Sequence, residues 1–216
     1  MSNPPLQVQN ISYKYGSVQA LQETSFTVNS GEIVTITGSN GVGKTTLLKC
    51  LGGLLLPSSG TVLIDGFNLY QRECSAKRRL SYLPDYPRFY QELTTWEHIR
   101  FISYAHSVEH DFEKRAKILL NEFDLTDAKD MYPHALSRGM RLKLGIILCL
   151  IRPFSVLLMD EPTSTLDPPG TTVLCEKLST LSAEGTAIVI TTHDLSLASS
   201  LGGQMIQMQR GHFELG

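Results

Sequence analysis

The chain has 216 residues, 42% hydrophobic and 19% charged, the make-up of a folded globular protein long enough to bury a core without staples. Its 19 basic and 21 acidic side chains leave a formal net charge of −2, which excludes a polycation held to nucleic acid or anionic lipid by a global field. The cysteines (Cys50, Cys74, Cys149 and Cys175) form no C-x-x-C pair and suit a reducing compartment, and the longest apolar run, residues 144–151, is far short of the ~18 a membrane span needs.

The opening Met1-Ser-Asn-Pro-Pro lacks the basic and apolar regions of a signal peptide. Leu6-Gln-Val-Gln-Asn-Ile11 then alternates apolar and polar residues, Tyr13-Lys-Tyr-Gly16 reads as a turn, and residues 21–28 repeat the period of two, predicting a half-buried antiparallel pair. Ile33-Val-Thr-Ile-Thr37 is β-branched and apolar enough for a buried central strand. After a glycine-rich loop, residues 45–54 predict a helix with Leu47, Leu48, Leu51 and Leu54 on its apolar face. Residues 61–64 form a further strand, closed by Asp65-Gly66.

From Arg72 to Ile151 the texture becomes more charged and helical, notably over 94–104 and 112–123, which predicts a helical subdomain inserted at about 86–152. A buried strand returns at Val156-Leu-Leu-Met159, followed by a helix near 171–182 and strands at 187–191 and 204–208. Strands alternating with helices predict an α/β fold with a mostly parallel core sheet, an N-terminal antiparallel β layer and that helical insertion, as one domain over 1–216.

Gly38-Ser39-Asn40-Gly41-Val42-Gly43-Lys44-Thr45 matches G-x-x-x-x-G-K-[ST] in full, between a predicted buried strand and an amphipathic helix. The glycines let the loop curl around phosphate oxygens, Lys44 reaches the β- and γ-phosphates, and the Thr45 hydroxyl is a Mg²⁺ ligand, with Thr46 next along the same helix start. This predicts nucleoside triphosphate binding. At the end of the strand beginning Val156, Asp160 is expected to hold Mg²⁺ through water, and Glu161 to act as general base toward an attacking water.

Four further segments narrow the family: Leu136-Ser137-Arg138-Gly139-Met140, Met159-Asp-Glu-Pro-Thr-Ser-Thr-Leu-Asp167, Thr191-Thr-His193-Asp194 and Tyr15 before Gly16. With these motifs the chain resembles, over essentially its whole length, the ATP-binding subunit of an ATP-binding cassette (ABC) transporter, a phosphate-loop NTPase whose signature reads Leu-Ser-Gly-Gly-Gln. The resemblance implies an ATPase using ATP and Mg²⁺, with Tyr15 stacking on adenine and His193 contacting the γ-phosphate. It implies that residues 136–140 touch ATP bound on the opposite subunit of a head-to-tail dimer, and that Asp167 works across the seam. The partners implied are a separate transmembrane permease subunit and a second ATP-binding subunit, expected to be another copy, with no nucleic acid. The location implied is peripheral, at the cytoplasmic face of the cell membrane, and no C-terminal regulatory domain is expected.

Three positions depart from the family pattern. Arg138 stands for Gly and Met140 for Gln, a variant that resembles exporter subunits. Asp85, closing Tyr82-Leu-Pro-Asp85, stands where a Gln normally reaches Mg²⁺ and water. Rival readings are a soluble ABC ATPase uncoupled from transport, a small nucleotide kinase, which would need neither 136–140 nor His193, and a cassette that binds ATP without turnover. Among side chains outside these motifs, Tyr13 reads as packing, His98, His134 and His212 as surface residues, Arg141 and Lys143 as exposed, and Cys149 and Cys175 as small core residues. His106-Ser-Val-Glu-His110 spells a metal-binding pattern without a third ligand and reads as a solvated face.

Overall fold

The computed structural model describes residues 3–108 and 112–213. It opens with two long antiparallel strands, β1 (Leu6–Tyr15) and β2 (Val18–Val28), with Leu6 opposite Val28 and Tyr15 opposite Val18. The hairpin turns at Gly16-Ser17, two residues beyond the turn predicted at Tyr13-Lys-Tyr-Gly16, so both tyrosines lie on β1. Gly16 takes φ +57°, a left-handed conformation that glycine adopts without steric cost.

β3 (Ile33–Thr37) is buried along its whole length, as its β-branched composition predicts. The helix after it, α1 (Lys44–Leu51), stops earlier than the leucine spacing suggests. Gly52 caps it, Gly53 turns left-handed at φ +69°, and Leu54 is left 58% exposed. Then come β4 (Ser59–Ile64), β5 (Phe67–Asn68), α2 (Glu73–Lys77) and β6 (Leu80–Leu83), the last a short strand inside a stretch that reads as helical.

α3 (Thr95–Ala105) begins with a capping box in which Thr94 and Glu97 satisfy each other's backbone N–H groups. α4 (Phe112–Glu122), α5 (Arg138–Leu150), β7 (Val156–Asp160), α6 (Pro168–Ala183), β8 (Ala187–Thr192), α7 (Leu195–Leu201), β9 (Gln204–Gln209) and β10 (His212–Phe213) follow.

The strands make two sheets. One is antiparallel, in the order β2-β1-β4-β5, and is the N-terminal β layer. The other runs β10-β9-β3-β8-β7-β6, with β3 parallel to β8 and β9, and β7 parallel to β8. The fold is therefore α/β with a mostly parallel core sheet.

The described residues divide into two compact units. One comprises those of Met1–Tyr82, Phe154–Glu161 and Lys177–Gly216; its core joins Leu6, Val8, Ile36, Leu47, Leu48, Val62, Leu158 and Val189 from both sheets and α1. The other comprises those of Leu83–Pro153 and Pro162–Glu176 and is mainly helical, with Ile99, Phe123, Leu142, Ile146 and Ile147 fully or almost fully buried. In the first unit β3, β8 and β7 lie side by side, with Thr37 opposite Thr192 and Asp160 opposite Thr191. The segments leaving the carboxyl ends of these strands therefore emerge together, where parallel sheets bind ligands.

Candidate active site

The loop after β3 depends on its glycines at the points of closest approach. A Cβ on Gly38 would run into the Met208 carbonyl, and one on Gly43 would come within 2.5 Å of the Ala20 carbonyl oxygen. Gly43 has φ +112° and is the N-cap of α1, with no side chain capping the first turn. The helix start thus keeps backbone donors free of side-chain acceptors, a ready site for an anion. Lys44, 6% exposed, donates from Nζ to the carbonyls of Gly38 at 2.6 Å and Ser39 at 3.3 Å, and lies 3.5 Å from Glu161 Oε1. Thr45 is exposed beside it, and Thr46 is buried.

Asp160 ends β7 and is 1% exposed. Its Oδ1 accepts a 2.6 Å hydrogen bond from the buried Thr191 hydroxyl, whereas its Oδ2 is buried with no hydrogen-bond partner. A buried carboxylate oxygen left without a donor is costly for a protein alone and suits a hard, oxygen-seeking cation.

Glu161 leaves the strand in the left-handed region, φ +48°, unusual for a residue with a Cβ. Its N–H donates to the Thr191 carbonyl at 3.0 Å, which fixes the turn, and its carboxylate lies between Lys44 and His193. Oε1 meets Lys44, and Oε2 meets His193 Nδ1 at 2.9 Å and the His193 N–H at 3.3 Å. The His193 ring is 62% exposed at the end of β8, whereas the Glu161 side chain is 14% exposed. Asp194 then caps α7, accepting from the N–H groups of Ser196 and Leu197. The Ser196 hydroxyl, reinforced by those N–H groups, holds the Asp194 carboxyl below the usual carboxylate range.

The 136–140 motif belongs to the second unit. Ser137 caps α5, its hydroxyl accepting from the Met140 N–H at 3.2 Å. Gly139 has no room for a side chain, because a Cβ would lie 2.9 Å from the Thr165 carbonyl oxygen. Arg138 donates to the Tyr86 hydroxyl at 2.9 Å, with its guanidinium 5.0 Å from the ring centroid. Asp85, Tyr86, Arg138 and Thr165 line one cleft of about 410 Å³, so two of the three family departures share a cavity.

The expected residues thus fall into two groups. Gly38, Gly43, Lys44, Asp160, Glu161 and His193 lie around the carboxyl ends of β3, β7 and β8, whereas Asp85, Leu136, Ser137, Arg138, Gly139, Met140 and Asp167 lie in the helical unit. Tyr15 is 47% exposed, its ring edge on Tyr13 at 4.8 Å. Ser39, Asn40 and Gly41 are exposed along the loop, with Val42 half-buried against the core.

Two readings are corrected. His98 is not a surface residue: it is 3% exposed, with Nδ1 bonded to the Thr94 carbonyl and Nε2 accepting from the Tyr90 N–H. Lys143 is not exposed: it is buried on α5 and paired with Asp167. Sequence reasoning also missed Thr191 as the partner of Asp160, for which strand register is the only signal. Cys149 is buried and Cys175 only half-buried. Of the His106–His110 pattern, Glu109 and His110 lie outside the described residues. Among the described residues no cluster of three or more His, Cys, Asp and Glu could hold a metal ion by itself, so a cation here needs hydroxyl or ligand oxygens beside Asp160.

The family model for ABC transporter matches residues 21–164. The SkfA peptide export ATP-binding protein SkfE of Bacillus subtilis is 31% identical over 95% of this chain and 86% of its own. The methionine import ATP-binding protein MetN of Chlamydia felis is 33% identical over 98% of this chain and 65% of its own. The solved structure of an ATP-binding subunit of an ABC transporter matches with a TM-score of 0.92 and 31% identity, covering 97% of this chain and 88% of its own.

Proposed function

The chain belongs to the ABC transporter family as an ATP-binding subunit and ATPase, and on that premise we propose that it powers transport through separate membrane subunits by closing and reopening a head-to-tail dimer. The observation that carries the reading is the position of Glu161, whose carboxylate meets Lys44 at 3.5 Å on one side and His193 at 2.9 Å on the other. A base held between the phosphate-binding lysine and an orienting imidazole suits attack by water on a γ-phosphate.

Glu161 accepts a proton from water as the water oxygen bonds to γ-phosphorus and the bond to the β–γ bridging oxygen breaks, releasing ADP and phosphate. Lys44 neutralises charge on the β- and γ-phosphates, and the uncapped start of α1 adds backbone donors. His193 holds the Glu161 carboxylate and reaches the γ-phosphate. Tyr15, exposed on β1, stacks on adenine. Asp160, whose Oδ2 lacks a hydrogen-bond partner, would hold Mg²⁺ through water and the Thr45 hydroxyl would ligate it, while Asp85 stands at the sequence position that the resemblance assigns to Mg²⁺ and water. When bound, the cation supplies charge neutralisation on the phosphates.

The second unit carries the residues this reading assigns to the partner's ATP. Ser137 and the first turn of α5, including Arg138, Gly139 and Met140, meet the γ-phosphate of ATP on the partner subunit, and Asp167 contacts the seam. The whole chain reads as one ATPase domain carrying a helical insertion. No helix among the described residues is long and apolar enough to cross a membrane. In this reading the permease is a separate chain, and the subunit sits on it peripherally at the cytoplasmic face. Export is the direction we read, from the Arg138 and Met140 variant and the peptide-export relative, although the methionine-import relative is of similar identity.

Phosphate release from ATP tests the reading. Glu161→Gln keeps the shape of the side chain but removes the proton acceptor, and should slow turnover by ~10²–10⁴-fold, the usual worth of a general base. Turnover at the parent rate would remove Glu161 from this role.

A further inference from the structure

We propose that Lys143 is a positioning residue for dimer closure: its ammonium fixes Asp167 so that the start of α5 and the 162–167 segment meet the partner subunit as one preformed piece. The proposal rests on the head-to-tail reading above, and it concerns a residue that no part of that reading uses.

Lysine is almost never buried unless paired. The Lys143 side chain is 9% exposed, and its Nζ lies 3.0 Å from Asp167 Oδ1 and 3.2 Å from Oδ2. Asp167 is 48% exposed, so the carboxylate is gripped from the protein side and still open to solvent. The Lys143 ammonium, helped by the Asp167 and Gly170 N–H groups, holds the carboxyl below the usual carboxylate range.

Packing around the pair has the same sense. Gly139 and Lys143 are four residues apart and so share one face of α5. On that face the Thr165 carbonyl lies against Gly139, at a distance no side chain would permit, and Asp167 lies against Lys143. Gly170 leaves space for the pair, since a Cβ there would lie 2.6 Å from Asp167 Oδ1 and 3.1 Å from Lys143 Cε. The segment is thus tied to the helix at two levels, one steric and one ionic.

A segment ordered before the partner arrives does not have to be ordered during association, and the association is tighter by that saving. Removing the ammonium should release Asp167 and its segment without touching Lys44, Asp160 or Glu161.

The test uses the full chain carrying Glu161→Gln, so that bound ATP is not consumed. Sedimentation in saturating Mg²⁺–ATP gives the dimer dissociation constant, and a fluorescent ATP analogue at high dilution gives the affinity of the monomer. Adding Lys143→Met should weaken the dimer on the order of 10-fold, as expected when a released side chain must be ordered again on association, with monomer affinity unchanged. Lys143→Arg should recover most of the loss. A Lys143→Met dimer as tight as its parent overturns the proposal. So does parallel loss of monomer ATP binding, which would make Lys143 a folding residue, or failure of the arginine to rescue. If the Glu161→Gln parent itself forms no dimer in ATP, the head-to-tail reading fails first, and the proposal with it.

Discussion

Thr191→Val isolates a single buried hydrogen bond beneath the site. Thr191 and Asp160 are register partners at the carboxyl ends of β8 and β7, 0% and 1% exposed, joined by a 2.6 Å bond from the hydroxyl to Oδ1. Valine matches threonine in shape, so the change opens no cavity and leaves the strands intact. Among the described residues it removes the donor to Oδ1 of a carboxylate whose Oδ2 already lacks a partner. A hydrogen bond to a charged group is worth about 1.5–3 kcal/mol. For a chain of this size each kcal/mol moves the melting midpoint by about 2–4 °C, so the expected fall is about 3–12 °C. Calorimetry or far-UV circular dichroism reads it directly. Repeating the change in an Asp160→Asn background supplies the control, because a neutral pair is worth only about 0.5–1.5 kcal/mol and the fall should be roughly halved. Equal losses in the two backgrounds, or no loss in either, would refute the view that Thr191 acts through the Asp160 carboxylate.

Lys44→Ala should abolish ATP binding in equilibrium titrations, because its ammonium, directed into the loop by the Gly38 and Ser39 carbonyls, is the cation that neutralises the β- and γ-phosphates. Retained affinity would overturn the phosphate-loop assignment. Ser137→Arg, which removes the cap of α5 and adds bulk at the seam, should spare ATP binding by the monomer while blocking dimer closure and hydrolysis. Hydrolysis at the parent rate would contradict the role given to residues 136–140.

What the sequence disclosed and what it withheld differ by range. The loop from Gly38 to Thr45 was legible because its chemistry needs particular residues in consecutive order, between a β-branched strand and an amphipathic helix. β3, β7, β8 and β9 of the core sheet were legible for the same local reason. Lys143 was not, since its partner Asp167 is 24 positions away and nothing local separates a buried lysine from a solvated one. His98 is similar: its burial depends on the Tyr90 N–H and on how the 84–94 segment returns over α3. In sequence Arg138 is an isolated departure from the family pattern, whereas in the fold Tyr86, 52 positions earlier, supplies it with both a hydrogen bond and a ring face. β6 is too short for its periodicity to stand out, and its pairing within the sheet identifies it.

The central claim is that ATP joins two copies of this chain and that Glu161 ends that state by hydrolysis. Size-exclusion chromatography of Glu161→Gln, with and without saturating Mg²⁺–ATP, tests it most directly. Glutamine leaves Lys44, Thr45 and Asp160 untouched, so ATP should bind, and with the proton acceptor gone the closed state should accumulate. The account predicts a dimer in ATP and a monomer without it, even where the parent chain gives no stable dimer. A variant that binds ATP yet elutes as a monomer in both conditions would contradict it.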